Sequence, residues 1–236
     1  MSDYRISAAD RETLSHVSTA TLTTSLIKRG IKRCFMQGVH PIKPGLTMAG
    51  HAFTLRYIPS RQDLVDRRYD NSTNVQRLAM EAVGPDQVLV VDARRVIATG
   101  TMGDILAHRI RERGCVGVVT DGSLRDTPAL RAMDFPIYLG GAAATPSHTH
   151  HHPVDMNVPV GCGDVAVMPD DLIVGDSEGV VVIPNAMARE VIDEAADQEE
   201  LENWVVEQVK TGRPLQGLYP PNEETKAQFE AWKNSQ

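Results

Sequence analysis

The sequence is poor in cysteine and contains no long uncharged apolar run. Its three cysteines, Cys34, Cys115 and Cys162, are odd in number and far apart. That pattern suits a reducing compartment better than a disulfide framework. Free cysteine is usually a small core residue, and core packing is expected of all three. No stretch approaches the roughly 20 apolar residues a membrane helix needs, so no membrane partner is expected. The first residues, MSDYRISAADRETL, include no apolar signal region, and a cytoplasmic location is expected. Basic charge is also short: acids outnumber bases 31 to 24, a net charge of −7. Residues 186–236 hold 11 acids against 5 bases, so the body of the chain is nearly neutral. Neither part offers the basic footprint of a nucleic-acid binder.

What remains is a chain of 236 residues, 42% hydrophobic, able to bury a sizeable core. Helical spacing of Leu14, Val17, Leu22, Leu26 and Ile27 predicts one or two helices over 10–30, closed by Gly30. MAGHAFTLRYI (48–58) reads as a strand, and 73–83 as a helix capped by Asn71 or Ser72. From 84 to 141 strands and helices alternate with short turns, which predicts parallel βαβ units. Then come a His-rich loop, short antiparallel strands in 157–163 and 165–176, and the hairpin GDSEGVVVIP. A long helix from 186 to about 209 and a short one at 223–233 follow. The expected organisation is one α/β domain over residues 1–210 with a C-terminal extension at 211–236.

Chemistry concentrates in Gly100-Thr-Met-Gly-Asp104-Ile-Leu-Ala and Val118-Val-Thr-Asp-Gly-Ser-Leu-Arg125-Asp126. Each segment delivers polar groups to the start of a helix, where free N–H groups and the helix dipole favour an anion. Gly103 allows close backbone approach. The amides of Asp104, Ile105 and Leu106 are candidates to hold a carboxylate. Arg125 offers a planar fork for an anionic oxygen. Asp126 is suited to a hard divalent ion, directly or through waters. Together they would suit a 2-keto acid. The competing reading is that Asp126 merely caps the helix beginning at Thr127.

STATL (18–22), AVGPDQVLVVD (82–92), GDILA (103–107), GVVTDGSLRD (117–126) and NVPVGCGDVAVMPDDLIVGDSEGVVVIP (157–184) together resemble the RraA-like family. That family includes class II 4-hydroxy-4-methyl-2-oxoglutarate/4-carboxy-4-hydroxy-2-oxoadipate aldolases and the regulator of ribonuclease activity A. The resemblance implies an α/β/β/α sandwich like a swivelling phosphohistidine-type domain, with a C-terminal helical arm, assembled as a homotrimer or hexamer. It implies metal-dependent cleavage of a small anionic 2-keto acid to pyruvate, with oxaloacetate decarboxylation as a side activity. Asp126 would anchor Mg²⁺ or Mn²⁺. Arg125 would steady the keto oxygen as it becomes an enolate, and Asp104 would position a proton-shuttling water. An acid from a neighbouring subunit's C-terminal part would complete the site, with Glu199, Glu200 and Glu202 as candidates. The alternative is a non-catalytic regulator of a ribonuclease or helicase, a branch that typically lacks the metal-site aspartate.

No lysine lies between 100 and 126, which disfavours a Schiff base. No GxGxG-type loop supports a methyltransferase. The chain departs from the family at Ala93-Arg94-Arg95, where glycines are usual, and in the Arg/Asp-rich stretch 56–71. Arg61, Arg67, Arg68, Arg94 and Arg95 are therefore candidates to read a substrate tail, against a solvated or interface role. Ser147-His-Thr-His-His-His152 has three readings: a transition-metal site, a solvated loop, or a source of one acid/base histidine. His16 is expected on a helix face.

Overall fold

The computed structural model describes residues 4–61, 63 and 70–235; Arg67 and Arg68 lie outside them. In chain order the helices are α1 (Ala8–Ser15), α2 (Thr19–Lys28), α3 (Val75–Ala82), α4 (Asp104–Glu112), α5 (Thr127–Ala132), α6 (Ala188–Lys210) and α7 (Glu223–Lys233). The strands are β1 (His40–Pro41), β2 (Met48–Pro59), β3 (Gln87–Asp92), β4 (Gly117–Leu124), β5 (Ile137–Ala142) and β6 (His151–Met156). They continue as β7 (Val160–Cys162), β8 (Val165–Val167), β9 (Leu172–Gly175) and β10 (Val180–Ile183).

Strands β2, β3, β4 and β5 are parallel neighbours, as the alternation with α3, α4 and α5 requires. The twelve-residue β2 carries three partners: β3 along 51–56, β9 at its start and β6 at its end. This sharing bends the sheet back on itself. Side-chain alternation then assigns each strand two cores. Leu89 and Val91 of β3 face α3–α5, whereas Val88 and Val90 face inward toward β7–β10. In β10, Val180 and Val182 join that inner layer while Val181 and Ile183 pack on α1, α2 and α6. The result is the expected α/β/β/α sandwich. The three cysteines are buried and free, and no helix among the described residues is long and apolar enough to cross a membrane. At the far end, α7 packs back on α6 through Trp204, Val205, Leu218 and Phe229.

Three local expectations are corrected. The cap of α3 is Asn74, whose side chain accepts the Arg77 N–H at 3.2 Å; neither Asn71 nor Ser72 fills that role. The end of the His-rich segment is a strand, β6, because β2 runs long enough to pair with it. Residues 165–176 form two strands, broken at a turn where Asp170 takes φ +68°.

The N-terminal segment is tied to α6 by Asp10. Its carboxylate accepts the Ser7 N–H (3.1 Å), the Tyr4 hydroxyl (2.8 Å) and a guanidinium N–H of Arg189. Burial acts to raise this carboxyl, but the hydrogen bonds from Ser7, Tyr4 and Arg189 outweigh it and hold the group well below the usual carboxylate range. Folding therefore favours the ionised form. The contribution is complete above the unfolded value of about 4 and is lost as pH falls below it. Urea midpoints measured from about pH 6 down to about pH 2.5 are expected to fall more steeply for the natural protein than for Asp10→Asn, which has nothing to titrate there.

Candidate active site

The turns leading into α4 and α5 are zipped together. Thr101 N–H donates to Ser123 O (2.8 Å) and Arg125 N–H to Met102 O (2.9 Å). Gly100 also bridges to Ser123 and Pro146. This sets residues 100–103 against 123–126, as close packing of two parallel strand ends allows. A Cβ on Gly100 would lie 2.4 Å from Arg125 Cγ and 2.8 Å from its backbone nitrogen. A Cβ on Gly103 would lie 2.2 Å from Asp126 Oδ2. Gly103 has φ −124°, an ordinary extended value, so the need there is for space. These glycines make room for Arg125 and Asp126, a reason beyond ligand approach.

Asp126 does not cap α5: it adopts φ +54°, ψ +34° and its side chain makes no cap hydrogen bond. The capping reading falls away, and an exposed carboxylate is held in a left-handed conformation that L-residues avoid. Arg125 is partly buried, and its Nε is buried with no hydrogen-bond partner. An unsatisfied buried donor costs about 1–3 kcal/mol, which a bound acceptor would recover. At the N-terminus of α4, Asp104 Oδ1 accepts the Ile105 N–H at 2.8 Å. Among the described residues this leaves the amides of Asp104 and Leu106 without an acceptor.

All the predicted residues, Gly100, Gly103, Asp104, Ile105, Leu106, Arg125 and Asp126, line one cleft of roughly 340 Å³. Sequence reasoning missed Gln76 and Arg77 of α3, which also line it. Gln76 is only 4% exposed and its amide donates to Thr101 O, bracing the Gly100–Gly103 loop. The available signal was a polar residue at the i position of the apolar series Ala79, Met80, Val83.

The His-rich segment divides. His148 lines the cleft. His151 is buried on β6, and its pKa is pushed down to about 4 by desolvation, then by the charges of Arg94 and His150. The solvated-loop reading therefore fails at His151. No group of three or more His, Cys, Asp or Glu among the described residues suits a metal cage. Arg94 donates to His150 O (2.9 Å) and its Nη2 lies 3.3 Å from His151 Nδ1, so it braces this segment. Arg94 and Arg95 both take φ +57°, with Val96 N–H donating to Ala93 O (3.0 Å). Such a turn ordinarily favours glycine, asparagine or aspartate. Arg61 pairs with Asp63 at 2.8 Å. Glu199 accepts from the Ser18 N–H (3.1 Å), Glu200 meets Lys233 (2.6 Å) and Glu202 accepts from Gln198 (2.7 Å). All three acids are engaged within their own chain. His16 is exposed beside Glu12 (3.2 Å).

Residues 19–182 match the family described as RraA-like, Aldolase/RraA. A Thermus thermophilus protein named 4-hydroxy-4-methyl-2-oxoglutarate aldolase is 35% identical over 109 residues, covering 46% of this chain and 65% of its own. A Halalkalibacterium halodurans protein bearing a provisional form of that name is 36% identical over 135 residues, 56% of this chain and 64% of its own. The chain thus spans less than two thirds of the length of these curated relatives. Among solved structures, Streptomyces coelicolor RraAS2, described as an unusual member of the RNase ES inhibitor RraA family, superposes with a TM-score of 0.79. It is 33% identical, over 86% of this chain and 100% of that one.

Proposed function

The chain belongs to the RraA-like family, and from that membership and the cleft we propose that it is a divalent-metal-dependent lyase of 2-keto acids. The substrate class is 4-hydroxy-2-keto acids, cleaved to pyruvate, with oxaloacetate decarboxylation as a second outcome of the same enolate chemistry. The observation that carries this reading is the buried, unpartnered Nε of Arg125 beside the Asp126 turn. It supports an oxygen acceptor at that position.

In this reading the amides of Asp104 and Leu106 hold the substrate carboxylate at the positive end of α4. Arg125 donates to the 2-keto oxygen and stabilises the charge that develops there as the C3–C4 bond breaks. Asp104, with Oδ1 committed to the Ile105 amide, orients a water beside C3 for protonation of the enolate. The donor set fits a hard ion: Asp126 is an exposed oxygen ligand free of cap bonds, and Mg²⁺ or Mn²⁺ is commonly held by one or two carboxylates, waters and substrate. When bound, such an ion supplies polarisation of the keto oxygen. Ile97 and Ile105 are exposed next to the loop and cleft, which supports the trimer or hexamer with the cleft near a subunit contact.

Pyruvate release, coupled to lactate dehydrogenase, tests the reading with oxaloacetate and a panel of 4-hydroxy-2-keto acids. Pyruvate is expected with Mg²⁺ and is expected to stop with EDTA. No pyruvate from any substrate overturns the lyase. It would leave the non-catalytic regulator, which the Streptomyces neighbour's description supports.

A further inference from the structure

The cleft holds one imidazole that the steps above do not use. His148 lines it with Pro146 and Ser147, and the backbone of its segment is firmly held. The His148 carbonyl accepts the Ser60 hydroxyl at 2.9 Å, and the His150 carbonyl accepts both the Ser60 N–H (3.0 Å) and Arg94 (2.9 Å). Thr99 Oγ1 donates to Thr145 O (3.0 Å) and Pro146 O (2.7 Å), while Gly100 N–H donates to Thr145 O (3.0 Å). The loop that carries Gly100 therefore carries this turn as well, and both are tied to the end of β4 before Arg125. Placement of this kind is what proton transfer in a transition state requires.

We infer that His148 is the general base that removes the proton from the substrate's 4-hydroxyl. The inference rests on the lyase reading above and adds a residue to it. Enolate chemistry at C2–C3 needs an electrophile at the keto oxygen and a proton at C3. Aldol cleavage needs one thing more: the O4–H proton must leave as the C3–C4 bond breaks. Its electron pair becomes the enolate, O4 becomes a carbonyl oxygen, and water delivers the balancing proton to C3. Of the carboxylates in the cleft, Asp126 is assigned to the ion and Asp104, with Oδ1 bound to the Ile105 amide, to the water that protonates C3. Imidazole is the side chain type matched to accepting a proton near neutral pH. His151 is buried and held neutral next to Arg94, so it serves the packing of the segment.

The test separates the two reactions in the full-length protein with Mg²⁺. Cleavage is followed as pyruvate release from 4-hydroxy-4-methyl-2-oxoglutarate, and enolisation as deuterium exchange into the methyl group of pyruvate by NMR. His148→Asn is expected to lower cleavage about 10²-fold and to leave exchange within about twofold. Added imidazole is expected to restore cleavage in His148→Ala. Equal loss of both reactions, no loss of either, or no imidazole rescue overturns the inference. A natural protein that exchanges pyruvate but cleaves no 4-hydroxy-2-keto acid overturns it too, while leaving enolate chemistry in place. One that does neither overturns the lyase reading itself.

Discussion

If the proposed lyase reading holds, Arg125→Lys is expected to lower the rate of pyruvate release by about 10³-fold, largely in kcat, and to leave the fold intact. The charge survives this change, but the Nε donor and the planar fork do not. In the structure that Nε is a buried donor without a partner, so on the lyase reading it is the atom whose loss the substrate oxygen would feel. Negative charge gathers on the keto oxygen only as the carbon–carbon bond breaks. A donor aimed there therefore contributes more to the transition state than to the bound substrate. Removing one such donor costs roughly 10²–10³ in kcat, and lysine, which puts an apolar methylene where Nε stood and its ammonium one bond beyond, lies at the upper end. The backbone zip is unaffected, because Arg125 N–H donates to Met102 O whatever the side chain. Steady-state kinetics and thermal melts check both halves. A Lys variant with near-natural kcat would place the electrophile elsewhere.

Much of this arrangement was legible in the sequence because hydrophobic period and turn chemistry agreed. Val88–Val91 alternates between two cores, the β9–β10 hairpin and the helix α6 lie where apolar spacing put them, and α7 lies where a short polar helix was expected. Gly100, Gly103, Arg125 and Asp126 could be paired because each pair leads from a loop or a strand end into a helix. What was illegible depends on contacts distant in sequence. β6 contains His151, His152, Pro153 and Asp155, none of them strong strand formers. It pairs because β2 supplies a free edge beyond β9. Arg94 and Arg95 in a left-handed turn contradict residue preference, and backbone contacts hold the turn. Asp121, buried with a raised pKa from desolvation, accepts the Ala93 N–H at 2.8 Å. Gln76 falls on the apolar face of α3, but its partner Thr101 is distant in sequence, so its bracing role became visible only in the fold.

The strain at Asp126 gives the second large effect, because it sets activity against stability. An L-residue at φ +54° carries about 1 kcal/mol of conformational cost, less for aspartate than for most residues. Glycine at this position removes that cost and gives some of it back through the entropy of its unfolded chain. Asp126→Gly is therefore expected to be as stable as the natural protein, or slightly more so, by urea unfolding. Its metal-dependent pyruvate release is expected to fall about 10³-fold, the equivalent of about 4 kcal/mol of lost charge stabilisation. Gly103→Ala reaches the same carboxylate from the other side. The new methyl would sit 2.2 Å from Asp126 Oδ2 and 3.4 Å from its Cγ, so Asp126 must swing away while the α4 backbone stays ordinary. That variant is expected to need about 10–100-fold more Mg²⁺ for half-maximal activity, the usual cost of disturbing a ligand's support. Gly100→Ala, whose methyl meets backbone atoms of Leu124 and Arg125 at 3.0 and 2.8 Å, should lose stability as well as activity. Only a carboxylate that holds the ion yields all three outcomes together. Natural Mg²⁺ activation in Gly103→Ala would remove Asp126 from that role, and a destabilised Asp126→Gly would show that its left-handed turn is there for packing.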